Sequence, residues 1–226
     1  MKSKRLKCVI AVSTAGSVMN EALKNPFFKG IVHSVVADKE CPAIAKAQSH
    51  GVRIEKFLEH TEEQFSIRLL EYLLKNDIDY VFSFYTGFFD NHLRDTYKDR
   101  IINLHPALLP AFKGLTGFND GVAYGVKFVG STVEFVDEKM DEGKIIMQTV
   151  CPLDQSQDPH IVRHKIFVQQ CKSLLQVAKW LADRRIKVED RNVTVLNAMF
   201  TGTEFSPSLD WDDAIRLEIK YPMGGM

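Results

Sequence analysis

Long apolar runs are absent from this 226-residue chain. No stretch approaches the roughly 18 consecutive apolar residues of a membrane-crossing helix, so no membrane partner is expected. An excess of either charge is absent too. Lysines and arginines number 29, as do aspartates and glutamates. A general affinity for nucleic acid or anionic membranes is therefore not expected, and any anionic ligand must be met by local groups. Cysteine is scarce: the four, Cys8, Cys41, Cys151 and Cys171, are scattered and form no C-x-x-C pair. That excludes a disulfide framework and fits reduced thiols in a cytoplasmic protein. The histidines are dispersed without ligand spacing, so no metal is expected. Internal repeats, low-complexity segments and linkers are missing as well, and without a coiled-coil pattern a homodimer is left open. The start, "MKSKRLKCVIAV", is basic and then apolar, as a signal peptide would be. Its apolar run is short, reaches Ser13 and Thr14, and lacks a small-residue cleavage pattern, so it reads as a first buried strand.

What the chain does have is enough apolar material for a sizeable core: 45% hydrophobic against 26% charged residues. In the first half, short apolar runs alternate with amphipathic stretches. "KCVIAVS", "GIVHSVVAD", "VRIEKF", "IDYVFSF" and "RIINL" read as strands. "GSVMNEALKN", "CPAIAKAQSHG" and "TEEQFSIRLLEYLLKND" read as helices, the last with Phe65, Leu69, Leu70, Leu73 and Leu74 at helical spacing. Such alternation predicts an α/β fold, a doubly wound, mostly parallel sheet with helices on both faces. Then the pattern changes. "KFVGSTVEFVD" and "GKIIMQTVCPL" predict a hairpin added to the sheet. A long helix follows, roughly Pro159 to Arg184, its apolar face drawn from Ile161, Ile166, Val168, Leu174, Leu175, Val177 and Leu181. The tail shows a strand at Val193–Leu196 and then little regular pattern.

Two places carry chemistry. The first is "VSTAGSVMN", where strand meets helix and backbone N–H groups can receive a phosphate. Asp38 closes the second strand about 20 residues on, the offset of a ribose-binding acid, but a dinucleotide fingerprint needs three glycines where this turn has one. Phosphate binding by Thr14, Gly16, Ser17 and Val18 is the better functional reading, and a ligand-free tight turn stands beside it.

The second place is "IINLHPALLPAFKG", where Asn103 and His105 end a strand on one face, since side chains alternate. In an open α/β sheet the carboxyl ends of the strands are where ligands bind. An amide and an imidazole there can donate to an oxygen on which charge develops, as acyl transfer requires, and the imidazole can move a proton near neutral pH. Of the carboxylates in "FVDEKMDEGKII", Asp141 is the one expected to turn inward, because the chain bends at Glu142 and Gly143. The plain alternative is a structural strand-end histidine and solvated loop acids.

Taken together, "YTGFF", "INLHPALLPAFKG" and "FVGSTVEFVDEKMDEGKIIMQTVCPL" resemble the folate-dependent formyltransferases, in particular those of purine synthesis, over about residues 5 to 200. The resemblance implies a Rossmann-like formyltransferase domain, residues 1–200, with 201–226 a C-terminal extension packing on it. It implies that Asn103, His105 and Asp141 are catalytic. The formyl donor would be 10-formyltetrahydrofolate, its pterin held between Phe88, Phe89, Asp90, Asn91 and His92 on one side and Asp137, Glu138, Lys139 and Met140 on the other. The partners would be small molecules, with glycinamide ribonucleotide the expected amine acceptor and an amino-sugar nucleotide, or water in a hydrolase, the alternatives. Members that use glycinamide ribonucleotide carry a Glu-His pair that aligns with Gln170 and Cys171, so Gln170 is the expected acceptor contact here. The family's Gly-Ser-Asn-Leu turn reads Gly16, Ser17, Val18 and Met19, which keeps the backbone donors and loses the asparagine side chain.

Overall fold

The computed structural model describes residues 5–59 and 61–222. The basic start, residues 1–4, and the end of the tail, residues 223–226, lie outside the described residues. In chain order the elements are β1 (Cys8–Val12), α1 (Ser17–Ala22), α2 (Pro26–Ile31), β2 (Val32–Ala37), α3 (Pro42–Ser49), β3 (Ile54–Lys56), α4 (Glu62–Lys75), β4 (Tyr80–Phe84), α5 (Asn91–Thr96) and β5 (Ile101–His105). They continue with α6 (Gly117–Tyr124), β6 (Phe128–Phe135), β7 (Lys144–Pro152), α7 (Pro159–Ala182), β8 (Ile186–Glu189), β9 (Asn192–Val195), β10 (Phe205–Ser206) and α8 (Asp212–Ile215).

Eight strands form one sheet in the order β10-β7-β6-β5-β4-β1-β2-β3. The five from β3 to β5 run parallel. β6, β7 and β10 are added antiparallel, so the sheet is mixed with a parallel majority. The parallel part is buried on both faces, and its strands therefore read as nearly continuous apolar runs. β1 shows why. Cys8, Ile10 and Val12 pack with α1, α2, α3 and α7, while Val9 and Ala11 point the other way, against Phe65, Leu69 and Leu73 of α4 and Leu93 of α5. Each such side chain withdrawn from water contributes about 1.5–3 kcal/mol before its entropy cost. A smaller cluster of Phe118, Val129, Cys151, Leu153, Val162 and Ile166 lies where α6 meets the start of α7. No helix among the described residues is long and apolar enough to cross a membrane.

Local chemistry sets the element ends. Thr61 caps α4 by accepting from Gln64 N at 3.2 Å, with Glu62 and Glu63 in the first turn and Lys75 in the last, all favourable to the helix dipole. α2 was not expected. The anticipated strand "GIVHSVVAD" starts two residues late, at Val32, because Asn25 accepts from Phe28 N at 3.1 Å and Pro26 opens a helix that takes in Gly30 and Ile31. α5, α6 and β8 were also not anticipated, and β8 pairs with β9 as a separate antiparallel hairpin. Leu74 and Ile161, assigned to apolar helix faces by spacing, are exposed at 55% and 39%. Each lies at the margin of its stripe, where the side chain reaches solvent.

The tail is knitted into the main body. β10 pairs with Gln148 and Thr149 of β7. The buried Gln176 of α7 accepts from Asp210 N at 2.8 Å and Trp211 N at 3.0 Å and donates to Asp210 Oδ1 at 2.8 Å. Trp211 then packs edge-on to Phe27, with ring centroids 5.0 Å apart.

Gly16 enters α1 at φ +60°, and a Cβ there would lie 2.7 Å from Ala43 Cβ. Left-handed backbone costs a non-glycine residue about 1–2 kcal/mol, and the clash with α3 adds to it. Gly16→Ala is expected to destabilise the fold by about 2 kcal/mol or more, read as a lowered urea midpoint with unchanged slope.

Candidate active site

The cleft opens at the carboxyl ends of β1, β4 and β5, where an α/β sheet places its ligands. Its volume is about 300 Å³, and Thr14, Tyr85, Phe88, Phe89, Leu104 and Val136 supply much of its wall.

At its floor four side chains share one face of the sheet. Asn103 and His105 leave β5 two residues apart, and the antiparallel register sets Glu134 of β6 opposite Asn103 and Thr132 opposite His105. The imidazole of His105 is buried. Its Nδ1 lies 3.3 Å from Asp141 Oδ1, with both side chains 5% exposed. Its Nε2 lies 2.9 Å from the carbonyl oxygen of Phe112. A carbonyl only accepts, so Nε2 carries a hydrogen, and Nδ1 also faces an acceptor. An imidazole protonated on both nitrogens satisfies this arrangement.

Backbone groups from two loops hold the carboxylates. Gly114 N donates to Asp141 Oδ2 at 2.6 Å, and Gly143 N donates to Glu134 Oε2 at 2.9 Å. Asp141 sits at φ +54°, which aspartate tolerates better than most residues. Gly143 passes so close to β6 that a Cβ would lie 1.9 Å from Phe135 O, which explains the glycine two residues after Asp141. Above the floor, Thr132 Oγ1 donates to Ala107 O at 2.8 Å and accepts from Leu109 N at 3.1 Å, fixing the proline turn.

Glu134 is the residue sequence reasoning missed. It is 2% exposed, and Asn103 Nδ2 donates to its Oε1 at 3.4 Å. Burial, above all, pushes its carboxyl up to about 7, with ionised Asp141 pushing the same way, while the bonds from Asn103 and Gly143 and the charge of Lys113 pull it down. One signal was available: a lone acid inside the otherwise uncharged run "FVGSTVEFV". Arg94 was also missed. Its guanidinium, buried, donates to Phe89 O at 3.0 Å and to Asp137 O at 2.9 Å, lies 4.5 Å from the ring centre of Phe88 and also bonds Asn91 Oδ1. One cation thus joins the two walls expected to receive the pterin.

Of the residues singled out from sequence, the cleft brings together Thr14, Phe88, Phe89, Asn103, His105, Asp137, Lys139, Met140 and Asp141. Others lie outside its lining for visible reasons. Asp90 caps α5 by accepting from Leu93 N at 2.7 Å, Asn91 holds Arg94, and His92 is exposed on the first turn of α5. Glu138 is exposed on the outer side of its loop. Gly16, Ser17 and Val18 start α1 beyond Thr14. Gln170 is buried on α7, next to Cys171 in the core, where burial raises the thiol's pKa.

Among the described residues, no group of three or more histidines, cysteines or acids is placed to hold a metal ion. The walls do suit a flat, partly apolar ligand with polar edges, offering aromatic faces beside backbone carbonyls and N–H groups.

Comparison with known proteins fits this geometry. The family model described as "Formyl transferase" matches residues 6–178. A phosphoribosylglycinamide formyltransferase from Mycobacterium tuberculosis is 29% identical over 197 residues, covering 84% of this chain and 91% of that protein. The crystal structure of glycinamide ribonucleotide transformylase 1 from Symbiobacterium toebii superposes with a TM-score of 0.80 at 25% identity, over 87% of this chain and 96% of that one. A formyltetrahydrofolate deformylase from Pseudomonas putida superposes with a TM-score of 0.75 at 26% identity, over 87% of this chain and 72% of that one.

The buried acid has a stability consequence. Unfolded, a glutamate titrates near 4.5, whereas Glu134 in the fold titrates near 7. Between those values the native state binds more protons than the unfolded state, so Glu134 lowers stability as pH rises. A shift of this size corresponds to about 3 kcal/mol. Measured by urea unfolding across pH, the stability of Glu134→Gln relative to the parent is expected to move in the variant's favour by about 3 kcal/mol between pH 4.5 and pH 8.

Proposed function

Since the chain belongs to the formyl transferase family, we propose that it moves a formyl group from 10-formyltetrahydrofolate to the amine of glycinamide ribonucleotide, with Asn103, His105 and Asp141 as its catalytic residues. The observation that carries this reading is the buried His105–Asp141 pair at 3.3 Å, set in one cleft with Asn103.

The donor supplies an electrophilic formyl carbon already attached to nitrogen. Everything else falls to the chain. Phe88, Phe89, Val136 and Met140 cover the apolar faces of the bound ring, while backbone groups near Asp137 meet its polar edge. Asn103 Nδ2 presents an N–H group to the formyl oxygen, on which negative charge grows as the amine attacks, and the His105 ring beside it, held by Asp141 and Phe112 O, supplies positive charge. Placing fixed dipoles where that charge develops, away from bulk water, is the larger part of the rate gain. Asp141 holds the imidazole from one side and Phe112 O from the other, so the ring keeps its aim while a proton passes from the attacking nitrogen toward the leaving one. The acceptor's phosphate would meet the first-turn N–H groups of α1 at Ser17 and Val18, which a helix leaves without internal acceptors. Gln170 would offer a neutral amide to the acceptor.

Removing one oxyanion donor costs other enzymes about 100- to 1000-fold. Asn103→Ala and His105→Ala are each expected to lower kcat by that order with glycinamide ribonucleotide as acceptor, and Asp141→Asn comparably, because charge is lost and shape kept. The measurement is tetrahydrofolate release from 10-formyltetrahydrofolate, run against a panel of amines and a control without any. Release without an amine would mark a hydrolase instead. Release only with an amino-sugar nucleotide would displace the purine acceptor, and silence throughout would end the formyl-transfer reading.

A further inference from the structure

We propose that Glu134 is a positioning residue for formyl transfer: its carboxylate takes one N–H of Asn103 and so fixes the amide with its second N–H toward the reacting oxygen. The inference rests on the formyl-transfer reading and adds a residue to it.

Geometry carries it. The two residues face one another across β5 and β6 and line the same cleft. An asparagine amide has two N–H groups and can turn over, exchanging its carbonyl and its amino group, unless a neighbour tells them apart. An ionised carboxylate does so, because it only accepts. Both Glu134 oxygens are engaged, Oε1 by Asn103 and Oε2 by Gly143 N. The 3.4 Å bond is long, as hydrogen bonds in empty active sites often are before the bound complex tightens them. Holding Gly143 N does not require an acid, since an amide oxygen would accept that bond as well. Lys113, the nearby cation, is bound to Glu142 at 2.8 Å, and an uncharged residue in β6 would cost less to bury. The groups that act on Glu134 are Asn103 from β5, Asp141 and Gly143 from the loop after β6, and Lys113 from the proline turn. Burial above all, offset in part by these groups, leaves its carboxyl near 7, so it ionises where the enzyme would work. Above that pH it accepts from Asn103. Below it the carboxyl gains a hydrogen and no longer discriminates between the two ends of the amide.

Glutamine in its place has one acceptor oxygen for two donors, so either Gly143 N or Asn103 goes unmet, or the amide turns over. Glu134→Gln is expected to lower kcat about 10-fold or more, less than outright loss of a donor. The KM for 10-formyltetrahydrofolate should change little. The acidic limb of kcat against pH, with its midpoint near 7 in the parent, should be lost. The deciding readout is a double-mutant cycle: in the Asn103→Ala background, Glu134→Gln should have almost no further effect on kcat. Should the glutamine variant fail to fold, the same cycle with Glu134→Asp applies, since that change withdraws the charge from Asn103 by one methylene. A superimposable pH profile, or an equal fold-loss with and without Asn103, overturns the inference. An inactive parent would instead overturn the formyl-transfer reading.

Discussion

The antiparallel register of β6 on β5 is the constraint on which the site depends. β5 continues the parallel sheet on its β4 side and reverses polarity on the other, so the carboxyl end of a parallel strand meets the middle of an antiparallel one. A slip of one residue would send every side chain to the opposite face. Held as it is, the register lays Asn103, His105, Thr132 and Glu134 side by side. The parallel half ends in the cleft, and the added hairpin sets Glu134 and Asp141 beside Asn103 and His105.

That arrangement buries polar groups, which is tolerable only if each is satisfied. Two loops do the satisfying with their backbones. The turn after β5 sends Phe112 O to His105 and Gly114 N to Asp141, and the loop after β6 sends Gly143 N to Glu134. Lys113 and Glu142 then join the two loops at 2.8 Å, although so exposed a pair adds little by itself. The site and its loops are thus interdependent. The carboxylates could not be buried without the loop N–H groups, and those N–H groups in turn use the carboxylates as their acceptors. Two buried acids that repel one another are a poor choice for stability, and such choices tend to be kept where chemistry needs them.

How much of this was legible follows from the range of each signal. Local periodicity exposes buried parallel strands and a capped amphipathic helix such as α4, because burial on both faces or on one stripe is written into consecutive residues. It misses α2, whose six residues are too few to show a period and whose start depends on a single Asn25 cap. Asn103 and His105 were legible because two residues on one strand must share a face. Asp141 was legible once the glycine after it implied a bend. Glu134 was not, although it sits only seven residues before Asp141: its meaning comes from the strand opposite, and cross-strand register is not local information. Arg94 is similar, since its job is to join Phe89 to Asp137, far apart in sequence. Gln170, buried on α7, and the first turn of α5 lie outside the lining of the cleft, because alignment to a family pattern carries residue identity and not burial.

The acceptor side repays the same reasoning. A glutamate at position 170, such as the family pattern carries, would be a buried anion whenever the acceptor was absent, and it would need a cation to offset its desolvation. Gln170 avoids that cost. With Cys171 beside it at 0% exposed, α7 presents α1 with a neutral and partly apolar surface. If Gln170 meets the acceptor as proposed, the consequence would be a different basis for selectivity. A carboxylate attracts an ammonium by charge, whereas an amide recognises hydrogen-bond geometry and rejects a ligand that leaves it unpaired. On the proposed reading, recognition of the acceptor would shift toward its phosphate at α1 and toward the fixed geometry of Asn103 and His105. A site of that kind would bind its acceptor less tightly through charge, and would rely more on the orientation proposed for Glu134, Asp141 and their two loops.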